Sequence, residues 1–276
     1  MFKKCLKLVV VLLVIATTIA CKKGEDANNQ KVQILKLGVM TKPYQNVLNK
    51  YVKPALQKEG IELVIVEFSD YNTPNLALYD KSIDVNAFQH QQFLDKFNAT
   101  NNTDIIPAGI TTLSPIGFYS KKLKNVDDIK EYGKIAIPND PSNEGRVLLI
   151  LQNQVKLIKI KDGVDVNSIT PNDIIENPKN IQFTELDAAS LPRVVDEFDV
   201  AVINDNYAIN AGFDPTKDPI LREDATTSPY INIFAIRPES KDDIRIEKLI
   251  RAFQTREVAE GILEETKGAI IPGWKY

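Results

Sequence analysis

A guanidinium set beside free backbone N–H groups is chemistry for a carboxylate, and one stretch of this chain supplies both. In Asn139-Asp140-Pro141-Ser142-Asn143-Glu144-Gly145-Arg146, Asp140 or Ser142 can cap a helix, and Pro141 suits its first turn. The leading N–H groups of such a helix favour an anion. Arg146 follows Asn143 by one helical turn, so the two share a face. A guanidinium there can hold a carboxylate by charge-assisted bonds. An ordinary cap followed by a surface arginine uses the same residues, and spacing alone leaves both readings open.

Four further places offer polar atoms at the ends of apolar runs. In Val85-Asn86-Ala87-Phe88-Gln89-His90, strand alternation points Phe88 and His90 the same way, an aromatic wall beside a polar tip. On the residues alone, a core phenylalanine and a satisfied histidine are the favoured reading. Ala201-Val202-Ile203 runs into Asn204, whose amide both donates and accepts and so can meet either end of an amino-acid zwitterion. Asparagine is also an ordinary strand-to-helix turn residue. Asn232 lies inside an apolar run, where a buried amide needs a partner from ligand or backbone. Tyr71 sits just past a strand end.

Other functions find little support. The single histidine, and cysteines only at positions 5 and 21, exclude multi-histidine and thiolate metal sites in the body of the chain. There is no nucleophile elbow, phosphate loop or dinucleotide fingerprint, so no cofactor and no enzymatic activity are expected. The carboxylate pairs Asp127/Asp128 and Glu264/Glu265 read as solvated. A formal net charge of −3 without a long basic run argues against nucleic acid.

The one basic bias is at the start. Lys3, Lys4 and Lys7 precede an apolar segment, Leu8 to Ala16, too short to span a bilayer comfortably. Ala20 then precedes Cys21. Residues 1–20 read as a removed signal, Cys21 as the lipidated new N-terminus, and 21–32 as a flexible polar tether. The product would be anchored to the cell membrane and face the periplasm or the cell exterior. The signal resembles that of bacterial lipoproteins, with Thr18 where leucine is usual.

The body alternates strand and helix. Strands are expected at 33–40, 61–68, 83–88, 110–119, 133–137, 181–185, 199–203 and 230–236. Helices are expected at 43–59, 73–81, 89–98, 126–131, 143–158, 187–196 and 241–266, the last broken near Thr255. This order predicts an α/β protein of two lobes, each a mixed, mostly parallel sheet flanked by helices. The first lobe comprises 33–116 and 230–276 and the second 117–229, with a ligand cleft between them.

VNAFQH, IPNDPSNEGRVLLIL, LDAASLPRVVDEFDVAVINDNYA, SPYINIFAIR and KGAIIPGW together resemble the methionine-binding lipoprotein (NlpA) family, in its order, from about Leu37 to the C-terminus. The resemblance implies a type II periplasmic-binding-protein fold of two hinged lobes. It implies a monomeric receptor that delivers methionine, its D-enantiomer or a methionine dipeptide to an ABC importer of permease and ATPase. Carried over by motif, the ligand contacts are Tyr71, Phe88, His90, Arg146, Asn204 and Asn232. Arg146 would hold the α-carboxylate with help from Asn204, Asn232 would take the ammonium, and Tyr71, Phe88 and His90 would line the thioether chain. Ile116 where methionine is common, and Gln91-Gln92-Phe93 in place of Val-Pro-Tyr, depart from the family near the cleft. The alternatives are a surface adhesin or antigen on the same scaffold, or a receptor for another small amino acid or dipeptide.

Overall fold

A computed structural model describes residues 32–276. The expected signal, Cys21 and all of the expected tether except Val32 lie outside the described residues. No helix among the described residues is long and apolar enough to cross a membrane.

The chain opens with β1 (Gln33–Met40), whose apolar residues Leu35, Leu37 and Val39 are buried at alternate positions. The helical run α1 (44–58) follows. It is α-helical at Tyr44–Val47 and Lys53–Lys58, with a π turn at Leu48–Val52. Pro54, which has no N–H to give to the carbonyl four residues back, stands just beyond that turn, and Lys53 bonds instead to the Leu48 carbonyl. Then come β2 (Ile61–Phe68), α2 (Thr73–Tyr79), β3 (Val85–His90), α3 (Gln91–Asn101) and β4 (Ile106–Leu113). The chain crosses through Ser114-Pro115 into β5 (Ile116–Tyr119), which belongs to a second sheet.

That second sheet continues with β6 (Lys134–Pro138). It is followed by α4 (Pro141–Ile150) and a small two-stranded ribbon of β7 (Lys159–Ile160) and β8 (Ile174–Glu176). Next are β9 (Gln182–Leu186), β10 (Val200–Asn204), α5 (Asp205–Asn210) and β11 (Leu221–Arg222). Residues 223–230 lead back to β12 (Ile231–Ile236), α6 (Ile244–Phe253), α7 (Arg256–Glu265) and β13 (Ile271–Pro272).

Two sheets result, ordered β13-β4-β12-β3-β1-β2 and β11-β5-β10-β6-β9. Parallel pairing holds where strands are joined through helices, in β2-β1-β3 and β9-β6-β10. The expectation of mostly parallel sheets needs correcting beyond those strands: β12, β4 and β13 in one sheet and β5 and β11 in the other pair antiparallel. The strands that enter and leave the crossings run back against their neighbours. Each sheet has its own core. Leu35, Leu37, Val52, Leu56, Leu249, Phe253 and Ile262 pack in the first lobe. Phe118, Ile135, Ile137, Val147, Leu148, Leu151 and Val202 pack in the second.

Two expected helices are much shorter. Residues 126–131 give only a 3-10 turn, Val126–Asp128. The helix expected at 187–196 is a chain of turns with one 3-10 turn, Leu191–Arg193. Leu191 and Val195 have a helical spacing because both are buried, but Pro192 cannot donate a helical hydrogen bond.

Helix α4 is buried almost all round, including Ser142, Asn143, Glu144, Gly145 and Arg146. A Cβ on Gly145 would sit 2.8 Å from the Val166 carbonyl oxygen, so only glycine lets this turn lie against that backbone. Gly145→Ala should therefore lower unfolding free energy by ~1–3 kcal/mol in urea titration, although alanine is the better helix former. An increase would contradict the packing account.

Candidate functional site

The C-terminal ends of β3 and β10, the first turns of α4, the β2–α2 loop, the first crossing and the start of β12 converge on one cavity. Tyr71, Phe88, His90, Arg146, Asn204 and Asn232 all line it, and Met40, Phe93, Ser114, Asn143 and Asn206 join them. It lies between the two sheets, which is where open α/β architectures collect helix N-termini and strand ends.

Its apolar side is a group of rings. Tyr71 lies 5.9 Å from both Phe88 and Phe93, and Phe88 lies 5.7 Å from Phe93, centroid to centroid. These are separations at which aromatic pairs attract. Phe88 reaches the cavity through an irregularity. Gln89 pairs with Ile233 and Ala87 with Phe234, which leaves Phe88 as the extra residue of a β-bulge. The bulge re-aims the strand end; Phe88 and His90 line the cavity, while the Gln89 side chain turns to the other side of the strand. Behind the strand, Asn75, Asn86 and Gln89 form a closed amide network with bonds of 2.6–3.1 Å. That network fixes the start of α2 to β3.

His90 is 4% exposed and caps α3: its Nδ1 accepts from the Phe93 backbone N–H at 3.2 Å. An accepting Nδ1 carries no proton, so the neutral ring holds its hydrogen on Nε2. Burial, followed by the nearby Arg146 charge, pushes the His90 pKa down to about 3. Nε2 has no hydrogen-bond partner among the described residues. His90 is therefore a neutral donor.

On the polar side, a chain of contacts fixes the amide orientations. The Asp140 carboxylate caps α4 by accepting from the Asn143 N–H at 3.0 Å, and it also accepts from Asn143 Nδ2 at 3.0 Å and Ser142 Oγ at 2.9 Å. The anion at this helix start is thus Asp140 itself, which corrects the expectation that the free N–H groups there await one from outside. A carboxylate can only accept, so Asn143 must turn its Oδ1 the other way, where it accepts from Asn204 Nδ2 at 3.2 Å. Asn204 Oδ1 is left buried and unpartnered. That oxygen is an acceptor, and Nδ2 carries a second hydrogen beyond the one given to Asn143. Asn206 Oδ1 takes the Tyr71 hydroxyl at 2.5 Å, linking the β2–α2 loop to α5.

Arg146 is buried, 2% exposed, and not open to solvent. Its partner is Glu223, which sequence reasoning missed. Nε donates to Glu223 Oε1 at 3.1 Å and Nη2 to Glu223 Oε2, and Nη2 also donates to the Ser114 carbonyl at 3.0 Å. The Tyr230 ring supports the guanidinium at 4.4 Å. Nη1 makes no hydrogen bond among the described residues. The pair spans 77 residues, and no periodicity or local motif joins positions so far apart.

A sequence profile of the family described as NlpA lipoprotein matches residues 35–274. The D-methionine-binding lipoprotein MetQ of Salmonella typhi is 42% identical over 242 residues, 87% of this chain and 88% of that protein. Outer membrane lipoprotein 2 of Mannheimia haemolytica is 39% identical over 277 residues, 99% of each. Among solved structures, a nutrient-binding protein from Burkholderia cenocepacia bound to methionine superposes with a TM-score of 0.82 at 45% identity, covering 87% of this chain and 100% of that one.

The His90 environment sets a pH dependence. In the unfolded chain the ring takes up a proton below about pH 6.5, whereas in the folded protein it does so only near pH 3. Between those values the unfolded state binds more protons, so stability falls as pH drops through that window. His90→Gln should remove up to about 1.4 kcal/mol per pH unit from the acid slope of the denaturation free energy. An unchanged slope would show that His90 is not buried as a neutral ring.

Proposed function

The chain belongs to the NlpA lipoprotein family, and on that footing we propose how it acts as the methionine-binding component of an ABC importer. The observation that carries the reading is one cavity with an aromatic and a polar end. Tyr71, Phe88 and Phe93 make an aromatic end, and Arg146, Asn204 and Asn232 make a polar one. That polarity matches a ligand with both charges at one end and a soft, unbranched, apolar chain at the other.

In this proposal Arg146 offers Nη1 to the α-carboxylate. Asn204 Oδ1, an acceptor with no other partner, receives the ammonium together with Asn232. Tyr71, Phe88 and His90 line the thioether, where each sulfur–aromatic contact contributes ~0.3–1.5 kcal/mol. The ligand changes in no covalent way; binding and release are the whole activity.

We further propose that residues 33–116 with 230–276, and 117–229, form the lobes that close over the ligand. Cross-lobe bonds support closure in this conformation. They include Tyr71 to Asn206, and Asn210 Nδ2 to the Thr41 carbonyl at 3.0 Å. Lipid on Cys21 would hold the receptor at the membrane, where a permease and its ATPase take the amino acid from the open form.

Calorimetry on protein stripped of ligand by denaturation and refolding should show micromolar or tighter binding of methionine. Comparing the two enantiomers assigns the preferred one. Absence of heat with either would end the methionine reading. Arg146→Ala should weaken binding by ~2–5 kcal/mol and also lower stability, because Glu223 is left buried without its counter-charge. Retained affinity would exclude Arg146 as the carboxylate site.

A further inference from the structure

We infer that Glu223 is a positioning residue that makes this cavity select a zwitterion over a simple anion. The inference rests on the methionine reading above and adds to it how the ligand's charge is chosen.

Glu223 is 7% exposed, and both of its oxygens are fully engaged. Oε1 accepts from Arg146 Nε and from Ser228 Oγ at 2.7 Å. Oε2 accepts from Arg146 Nη2 and from the Ile116 N–H at 3.0 Å. The Glu223 N–H donates back to the Ile116 carbonyl at 2.9 Å. Ile116 begins the strand after the first crossing, and Ser228 lies on the second. One carboxylate therefore pins both crossings to each other and to Arg146. With all its accepting directions taken, Glu223 acts on the ligand through Arg146 and through its charge.

That charge alters what Arg146 can do. A lone buried guanidinium would present a full positive charge and favour any anion of suitable shape. Here it meets the ligand already neutralised, with Nε and Nη2 spent on Glu223 and Nη1 left over. The other charged groups near the cavity do not restore a positive field. Arg222 is balanced by Asp205 at 2.9 Å, Asp140 holds three donors of its own, and His90 is neutral. A zwitterion adds no net charge to this enclosure. A ligand that carries a carboxylate but no ammonium adds a negative charge beside Glu223, away from water, where repulsion is weakly screened.

The test compares methionine with its des-amino analogue, 4-(methylthio)butanoate, by calorimetry on the wild type and on Glu223→Gln. The analogue loses the ammonium contacts in both proteins, so the change in the ratio of the two affinities isolates the charge at position 223. The wild type should prefer methionine by about 100-fold or more, and the ratio should fall at least about 10-fold in Glu223→Gln. An unchanged ratio overturns the inference and leaves the methionine site standing. A wild type that binds no methionine overturns both.

The glutamine amide puts a donor where the Ile116 N–H and Arg146 now find an acceptor, so Glu223→Asp and Ser228→Ala are measured alongside. Both keep the negative charge and should keep the ratio within about 3-fold of wild type while binding both ligands more weakly. If Glu223→Gln does not fold, these variants decide: a ratio held supports the charge account, and a ratio that collapses with the charge still present overturns it.

Discussion

A guanidinium taken out of water must be given a carboxylate and a full set of acceptors, or the fold that buries it is strongly destabilised. Helix α4 is packed so deeply that Arg146 is buried, 2% exposed. The need for a counter-charge is met by Glu223, by the Ser114 carbonyl and by the Tyr230 ring. All three lie on or beside the segments where the chain passes between its sheets. The pair therefore joins a helix of the second lobe to both crossings. The geometry of the polar end of the cavity follows from where that pair is fixed.

The rest of the site is held by similar one-way constraints. Asp140 cannot donate, so Asn143 must turn its amide nitrogen toward it, and Asn204 must turn its oxygen into the cavity. His90 must keep its proton on Nε2 because Nδ1 is committed to the start of α3. Each orientation follows from a neighbour with one hydrogen-bonding option. The cavity is in this way pre-organised, and less ordering remains to be done when a ligand arrives. On the apolar side the same service comes from the bulge at Phe88 and from the amide network behind it, which hold the strand end in position.

Membership of the NlpA lipoprotein family accords with this architecture. A receptor that must release its cargo to a transporter gains from a ligand held by a few directional contacts between two bodies joined at short crossings. Opening can then break those contacts together. Two bonds link the sides of the two sheets: Tyr71 to Asn206, both of which line the cavity, and Asn210 to the Thr41 carbonyl.

Much of this was legible in the linear chain, for physical reasons that can be named. Strand and helix order is a local property, and the periodicity of apolar residues marked β1, β2, β6, β10, β12 and the Thr255 break between α6 and α7. Asp140 and Pro141 announced the start of α4 because caps and first turns have their own chemistry. Amides, a lone histidine and an arginine at the ends of apolar runs are conspicuous, but it was the resemblance to the family that joined them with Tyr71 and Phe88 into one set of contacts. The long turn region around Pro192 has the spacing of a helix without being one, since burial of Leu191 and Val195 imitates helical periodicity. What the sequence could not hold was pairing over distance: Glu223 against Arg146, Asn143 against Asn204, Phe88 as the odd residue of a bulge. Those depend on how two sheets and their crossings pack. Only the tertiary structure could decide that the arginine meets a carboxylate of its own chain before any ligand arrives.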